Sequence, residues 1–299
     1  MRGFLVPEVL ARIGTLELLA RTVVDGFLSG LHKSPYLGRS TDFAEHRGYM
    51  PGDDIRRIDW RLFARTDRFY LKEFEADSNT DLVPLLDVSR SMRFTSHALT
   101  KLDYGRSLAA CLAYLARKQR DRVGLITFDE DVVDYVPPSA RHLNVVLHTL
   151  DRLDGGLGAG RKGELARPLR KAAEACHRRS ILVLISDLYE EPRAVLSAVA
   201  GLSHRGSDLI VFHLLEPAEL QLTGGEPAMY EDLEGGESIP VVPEEARARY
   251  QELVRAHIAG LSSVLGGSHI DYVQIDTSQP LDQALFGYLA RRARLVRSR

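Results

Sequence analysis

The sequence predicts an α/β protein whose core is a doubly wound, mostly parallel β-sheet with helices on both faces. From residue 81 onwards, short apolar runs rich in β-branched residues alternate with longer amphipathic stretches, a pattern typical of an open sheet covered on both faces. The run at 181–185, Ile-Leu-Val-Leu-Ile, contains no polar residue, as expected of a central strand buried on both sides. The chain has 299 residues, of which 44% are hydrophobic, so it can bury a large core.

Two segments precede this sheet domain, which we assign to residues 81–299. Residues 1–37 contain an amphipathic helix, because apolar residues recur at three- and four-residue steps between positions 9 and 31. Charged residues interrupt this helix, so we expect no membrane span. Residues 38–80 are dense in charged and aromatic residues and contain a strand at 69–75. We expect ion pairs to hold this segment against the core, with a surface for a partner as the alternative.

Within the sheet domain, the spacing of apolar residues indicates each element in turn. Strands are predicted at 82–87, 123–128, 132–135, 181–185, 209–215 and 270–275, and helices at 101–119, 143–150, 165–177, 194–203, 244–265 and 281–296. A Gly- and Glu-rich insertion near 217–243 interrupts this alternation, and we expect it to form short hairpins at the surface.

Composition and missing motifs argue against several classes of function. The 39 basic and 41 acidic residues give a formal net charge of -2, so no overall field would draw the chain to nucleic acid. Neither Cys111 nor Cys176 belongs to a Cys-x-x-Cys motif, and we expect reduced thiols in a cytoplasmic protein. The sequence has no phosphate loop ending in Lys-Ser or Lys-Thr and no Gly-x-Ser-x-Gly elbow, which argues against nucleotide hydrolysis and against a serine hydrolase.

The clearest candidate site follows the first strand of the sheet domain. Asp87, Ser89 and Ser91 form an Asp-x-Ser-x-Ser loop, which could also serve only to begin a helix. Mg²⁺ prefers oxygen ligands in near-octahedral geometry and keeps several waters, so the loop predicts a metal site with a position left for a partner's carboxylate. Asp187 follows the buried run 181–185. Because the carboxyl ends of parallel strands form the usual binding edge of such sheets, we include Asp187 in the site.

The region from about residue 81 to the C-terminus resembles a von Willebrand factor A domain, whose metal-ion-dependent adhesion site (MIDAS) begins with Asp-x-Ser-x-Ser after the first strand. The resemblance implies that Asp87, Ser89 and Ser91 are first-loop metal ligands. It also implies that Asp187 belongs to the third loop and acts on the metal through water. The implied cofactor is Mg²⁺, with Mn²⁺ or Ca²⁺ as alternatives.

The middle loop departs from the pattern of that family. A von Willebrand factor A domain supplies a Thr there, but the segment 160–169 contains none, and Gly163 lies near the expected position. Arg161 and Lys162 in the same loop could oppose a cation. A longer acid such as Glu164 would shift the ligand distance by more than Mg²⁺ tolerates. Weak metal binding, a different geometry and a site without metal are therefore all open alternatives.

A second resemblance covers nearly the whole chain. The string Pro-Gly-Asp-Asp-Ile-Arg-Arg-Ile-Asp-Trp at 51–60, the residues 43–50 before it and Lys-Glu-Phe-Glu at 72–75 resemble the domain-of-unknown-function family 58 (DUF58). In that family, an Asp-x-Ser-x-Ser-Met loop follows at this place. Members are similar to von Willebrand A proteins and are commonly encoded beside MoxR-type AAA+ ATPases. The resemblance implies a chaperone-like adaptor that works with such an ATPase or with other von Willebrand A-like proteins.

Three functions are open on these observations. The favoured one is a non-enzymatic protein-protein interaction module or adaptor, whose metal is completed by an acid from the partner. The second is a structural scaffold with a degenerate, metal-free site. The third is a Mg-dependent phosphatase that uses Asp87 as its nucleophile. Such phosphatases need a second acid two residues further on, where this chain has Ser89, so the third function is disfavoured.

Overall fold

The computed structural model describes part of the chain and divides it into two compact units. The described residues are 15–31, 46–48, 63, 65–66, 69–72, 80–153, 165–176, 180–203, 206–233, 236–282 and 284–285. One unit comprises residues 1–26 and 80–299, and the other comprises residues 27–79. The motif at 51–60, residues 160–164 of the middle loop and most of the predicted helix at 281–296 lie outside the described residues.

Strands and helices alternate along the described part of the chain. The strands are β1 (His46–Gly48), β2 (Tyr70–Lys72), β3 (Asp81–Asp87), β4 (Arg122–Phe128), β5 (Val132–Ser139), β6 (Ser180–Ser186), β7 (Asp208–Leu215), β8 (Ala228–Glu231), β9 (Ser238–Val241) and β10 (Asp271–Asp276). The helices are α1 (Leu16–Leu31), α2 (Lys101–Lys118), α3 (Leu143–Asp151), α4 (Ala166–Ala175), α5 (Pro192–Ser203), α6 (Pro217–Gln221) and α7 (Pro243–Gly267), with a 3₁₀ turn at Ser91–Arg93. Among the described residues, no helix combines the length and the apolar character that crossing a membrane requires.

The larger unit is built on a six-stranded sheet in the order β10-β7-β6-β3-β4-β5. Every neighbouring pair is parallel except β4 and β5, which are antiparallel at one edge. This topology confirms the predicted fold class. The chain adds β4 and β5 on one side of β3 and then β6, β7 and β10 on the other, so the strand order switches between β3 and β6. In such sheets, ligands bind at the carboxyl ends of the strands beside the switch.

Helices pack on both faces of this sheet, and its two central strands are completely buried. All seven residues of β3 and all seven of β6 are inaccessible to solvent or nearly so. On one face, Leu85 and Leu184 join a cluster with residues of α4, α5 and α7. Because successive strand residues point to opposite faces, Leu86 and Ile185 lie on the other face. There α2 approaches closely at Gly105, where an added Cβ would lie 3.0 Å from Leu86 Cδ1 and 3.4 Å from Ile185 Cγ2.

Within residues 81–299, two described elements differ clearly from the prediction, for physical reasons. β5 continues through Pro137 and Pro138 to Ser139, because it is an edge strand, where a missing N–H donor is tolerated. The insertion near 217–243 begins with the short helix α6 before the antiparallel hairpin of β8 and β9. A helix of five residues is too short to show a helical period in the sequence.

Candidate functional site

The Asp-x-Ser-x-Ser loop leaves β3 at the carboxyl edge of the sheet, beside the end of β6. Asp87 is the last residue of β3, and its Oδ1 accepts a hydrogen bond of 2.9 Å from the backbone N–H of Ser89. Asp side chains commonly stabilise turns in this way. The 3₁₀ turn follows directly, and the N–H of Met92 donates to the carbonyl of Ser89 at 3.2 Å. The loop is therefore shaped by its own sequence.

A side-chain hydrogen bond joins the ends of β3 and β6. Ser186 Oγ donates to Asp87 Oδ2 at 2.6 Å, and the backbone N–H of Leu188 donates to Ser186 Oγ at 3.2 Å. Burial, and next the negative charge of Asp187, raise the pKa of Asp87 to about 7, although hydrogen bonds from Ser186 and Ser89 act in the opposite direction. The two predicted acids are therefore close enough to repel each other.

The two serine hydroxyls of the loop are adjacent and buried. Ser89 Oγ and Ser91 Oγ lie 3.1 Å apart. Neighbouring ligands of an octahedral Mg²⁺ ion, each about 2.1 Å from the metal, are about 3 Å apart. The spacing of these two first-loop oxygens therefore fits a metal ion of this size.

The third-loop acid, Asp187, is bound by a lysine that the sequence did not single out. Lys101 is the first residue of α2 and is fully buried. Its Nζ donates to Asp187 Oδ2 at 2.8 Å and to Glu219 Oε1 at 2.5 Å. A third hydrogen bond of 3.0 Å goes to Tyr189 Oη. Burial lowers the pKa of Lys101, but the charges of Asp187 and Glu219 outweigh it, so the pKa is raised and the ammonium stays charged.

One local feature of the sequence points towards a special role for Lys101. Thr100 and Asp103 form a capping box at the start of α2, so Lys101 lies in the first turn, where the helix dipole disfavours a positive charge. A lysine at this position suggests a carboxylate partner from elsewhere. The partners Asp187 and Glu219 are 86 and 118 residues away along the chain, and no local pattern identifies them.

A buried acid, Glu216, joins the loop after β3 to α6. Glu216 and Glu219 form a capping box, in which Ala218 N–H donates to Glu216 Oε2 at 2.7 Å and Glu216 N–H donates to Glu219 Oε2 at 3.0 Å. Glu216 Oε1 accepts from Ser96 N–H at 2.8 Å and from the Ser96 hydroxyl, and it lies 2.9 Å from His97 Nδ1. Burial raises the pKa of Glu216, but these hydrogen bonds outweigh it, and the pKa is lowered.

Two histidines hold the backbone of the third loop. His213 Nε2 donates to the carbonyl of Asp187 at 2.8 Å, and His213 Nδ1 accepts from Tyr272 Oη at 2.6 Å. Burial lowers the pKa of His213 to about 4, so its ring is neutral near pH 7, with one donor and one acceptor nitrogen. His257 Nε2 donates to the carbonyl of Leu188 at 2.9 Å. Both rings therefore position the backbone that carries Asp187.

A cavity of 780 Å³ opens at this edge of the sheet. Asp87, Ser89, Ser91 and Asp187 all line it, so the structure brings the four predicted site residues together. The other lining residues include apolar ones, such as Phe94, Leu188, Met229 and Leu233, acidic ones, such as Asp129 and Glu190, and hydroxyl-bearing ones, such as Ser96 and Tyr250.

The described residues match the implied metal site only in the first loop. The serine pair has a suitable spacing, but the carboxylate of Asp187 is already paired with the ammonium of Lys101. The set as a whole therefore does not fit a divalent-metal site of the implied kind. Metal binding by Asp87, Ser89, Ser91 and Asp187 stays a prediction.

The chain is similar to bacterial proteins along most of its length. The Uncharacterized protein Rv1480 of Mycobacterium tuberculosis and the Uncharacterized protein Mb1516 of Mycobacterium bovis are each 25% identical to it over 292 residues, which is 96% of this chain and 91% of each relative.

Solved structures with lower identity are also similar to part of the chain. An aerotolerance-related membrane protein from Bacteroides fragilis is 17% identical, with a TM-score of 0.47, over 69% of this chain and 96% of its own. BatB from Bacteroides thetaiotaomicron is 17% identical, with a TM-score of 0.46, over 72% and 99%. The SpRpn10 VWA domain is 11% identical, with a TM-score of 0.41, over 69% and 93%.

The family of the chain follows from a match that covers most of it. The family described as "Protein of unknown function DUF58" matches residues 45–260. The match includes the motif at 51–60 and the Asp-x-Ser-x-Ser loop, which are the features on which the resemblance was predicted. The chain belongs to the DUF58 family.

Proposed function

We propose that this DUF58 protein is a non-enzymatic interaction module, or adaptor, that binds a partner protein at the carboxyl edge of its sheet. The observation that carries the proposal is the 780 Å³ cavity beside the switch between β3 and β6, into which the Asp-x-Ser-x-Ser loop opens. Cavities at such switch points are the usual binding sites of α/β sheets. Apolar walls with a few convergent polar groups are typical of binding sites.

The contacts in the cavity support binding more than catalysis. A phosphatase of the kind considered above needs an acid where the chain has Ser89. The hydroxyls of Ser89 and Ser91 contact each other. No histidine is among the described residues that line the cavity, and both ring nitrogens of His213 are already hydrogen-bonded, to Tyr272 and to the carbonyl of Asp187. In the described part of the chain, therefore, no histidine base for a serine nucleophile lines the cavity.

The proposed partner is a MoxR-type AAA+ ATPase, with other von Willebrand A-like proteins as alternatives, and the proposed location is the cytoplasm. The choice of partner is supported by the family to which the chain belongs. Two forms of binding are candidates. In one, Mg²⁺ held by the first loop is completed by an acid from the partner. In the other, the site works without metal, and the contact between Lys101 and Asp187 favours this form.

Binding to a purified MoxR-type ATPase from the same organism tests the proposal. The double variant Ser89→Ala/Ser91→Ala removes both hydroxyls from the cavity without adding bulk. We expect its affinity for the ATPase, measured by titration calorimetry, to fall by about tenfold or more, because each lost hydrogen bond to a desolvated partner group costs about 1–3 kcal/mol.

Ser197→Ala provides a matched control for this experiment. Ser197 is exposed on α5, and its hydroxyl donates to the carbonyl of Arg193 in the same helix. We expect this variant to bind like the wild type. Unchanged affinity in the double variant would show that the cavity is not the binding surface.

A further inference from the structure

We infer that the ammonium group of Lys101 takes the place of a divalent metal at this site, so that the cavity binds its partner without such a metal. The part of the inference that concerns partner binding rests on the proposed function. The part that concerns the cation rests on the contacts of Lys101 alone and can be tested without any partner.

The ammonium group lies in direct contact with the acid that the resemblance assigns to the metal. The side chains of Lys101, Asp187 and Glu219 are 0%, 4% and 12% exposed, so their charges face each other with little water between them. A charged ammonium at 2.8 Å from Asp187 Oδ2 neutralises this carboxylate directly. A divalent ion placed beside Asp187 would meet a like charge at short range.

The hydrogen bonds around Lys101 form a closed set. The ammonium has three hydrogens, and Asp187, Glu219 and Tyr189 provide three acceptors. The hydroxyl of Tyr189 in turn donates to Glu219 Oε1. Moving Lys101 aside to admit a metal would leave these groups without their partner, and buried polar groups without partners are strongly disfavoured.

The fold also holds the backbone of Lys101 in place. Gly105 lies one helical turn after Lys101 and therefore on the same side of α2. The absence of a side chain at Gly105 lets α2 approach Leu86, Ile185 and Leu214 of the sheet. This close approach places the start of α2 at the carboxyl edge, where Nζ reaches the end of β6.

The first loop is likewise satisfied by protein groups alone. Asp87 accepts hydrogen bonds from the N–H of Ser89 and the hydroxyl of Ser186. The hydroxyls of Ser89 and Ser91 contact each other. Each oxygen that the resemblance assigns to the metal therefore has a partner within the chain, as buried polar groups normally do.

Titration calorimetry of the full chain with Mn²⁺, and separately with Mg²⁺, tests the inference. We expect the wild type to show no one-to-one metal binding that depends on Asp87, so the variant Asp87→Asn should give the same titration as the wild type. Lys101→Met removes the ammonium and keeps an apolar stem, which leaves Asp187 uncompensated. We expect this variant to bind one Mn²⁺ ion at least about tenfold more tightly than the weakest binding the titration can detect, because the like charge that opposes a bound ion in the wild type is gone. The double variant Lys101→Met/Asp187→Asn should lose this gain.

Lys118→Met is the matched control for the change of charge. Lys118 lies at the other end of α2 and pairs with Asp25 at 3.0 Å near the surface, so its removal should leave the response to Mn²⁺ unchanged. If circular dichroism shows that Lys101→Met does not fold, Lys101→Gln, which keeps hydrogen-bond donors without the charge, takes its place.

Two results would overturn the inference. One is Mn²⁺ binding to the wild type that Asp87→Asn abolishes. The other is a folded, ammonium-free variant that gains no affinity for Mn²⁺. Either result would leave the proposed function standing, because that proposal is tested by binding of the ATPase and would accept a metal at the first loop.

Discussion

Two buried acids beside the cavity, Asp187 and Glu216, are compensated in different ways. A buried carboxylate is costly unless hydrogen bonds or an opposite charge compensate it. Asp187 contacts the positive charge of Lys101, whereas Glu216 accepts hydrogen bonds from the backbone N–H groups of Ser96 and Ala218. The ion pair between Asp187 and Lys101 sets the charge that the cavity presents to a ligand. The hydrogen bonds of Glu216 fix the shape of the loop after β3.

The role of Glu216 leads to a prediction for the variant Glu216→Gln. An amide has one oxygen where the carboxylate has two, so its NH₂ group would face the N–H of either Ala218 or Ser96. We expect the free energy of unfolding at pH 7, measured by urea denaturation, to fall by about 2 kcal/mol, the usual size for loss of a buried hydrogen bond to a charged group. Glu252→Gln on α7 is the control, because Glu252 is exposed and, among the described residues, its ion pair is with Arg249 at the surface.

The pKa of Glu216 adds a dependence on pH to the same prediction. This pKa is lowered in the folded chain, so an unfolded chain takes up a proton at a higher pH than the folded chain does. The stabilisation is therefore fully present above the ordinary pKa of about 4.3 and is lost as the pH falls through the lowered pKa. We expect the stability difference between the wild type and Glu216→Gln to shrink below about pH 4.3. A difference that stayed constant with pH would show that the charge of Glu216 is not the stabilising feature.

At the scale of elements, the packing of α2 against the sheet determines where Lys101 lies. A Cβ at Gly105 would lie 3.0 Å from Leu86 Cδ1 and 3.4 Å from both Ile185 Cγ2 and Leu214 Cδ1. We expect Gly105→Val to destabilise the chain by about 1–3 kcal/mol, the usual cost of an overpacked core. Because the shift of α2 would also withdraw Lys101 from Asp187, we expect the variant to gain Mn²⁺ binding.

Gly201→Val is the control for the change at Gly105. Gly201 lies in α5, and a Cβ there would have no neighbour within 4 Å in the part of the chain that the structure describes. In a helix, Val is slightly preferred to Gly, so the stability of this variant should stay close to that of the wild type. Equal stability of Gly105→Val and Gly201→Val in urea denaturation would contradict the close packing of α2.

The sequence predicts these elements with unequal success, for reasons that lie in their surroundings. The strands predicted at 82–87 and 181–185 are Asp81–Asp87 and Ser180–Ser186 in the structure, because both faces of a central parallel strand are covered and the strand is apolar throughout. The edge strand β5 was predicted too short because prolines usually end a strand. The short helix α6 escaped prediction because it spans less than two helical turns.

The residues of the candidate site also differ in whether the sequence could predict their place. Asp87, Ser89, Ser91 and Asp187 could be placed together from the sequence, because the carboxyl ends of parallel strands meet at one edge of the sheet. Lys101 could not, since it begins a helix and does not end a strand, so the rule on strand ends says nothing about its contacts with Asp187 and Glu219. Their contact depends on how closely α2 packs against the sheet, which no local pattern expresses.

At the scale of the whole molecule, burial differs strongly between the centre of the sheet and the hairpin of β8 and β9. The central strands β3 and β6 are buried at every position. In the hairpin, most residues are exposed, including Met229 and Ile239 at 64% and 61%. An isolated two-stranded hairpin is at best marginally stable, yet Met229 lines the cavity. One wall of the proposed binding site therefore belongs to an exposed hairpin, for which we expect low local stability.

This contrast predicts the order in which backbone amides exchange with deuterium. Amides of β3 and β6 should exchange last, because their opening requires global unfolding, whereas those of β8 and β9 should exchange first through local opening. Peptide-resolved mass spectrometry in a series of low urea concentrations checks the mechanism as well as the order. Exchange in β3 and β6 should accelerate with urea, since global unfolding exposes much surface, while exchange in the hairpin should hardly change. If the hairpin proved as protected as β6 in the isolated chain, this wall of the cavity would already be covered, and a partner could not be docking on it from solution.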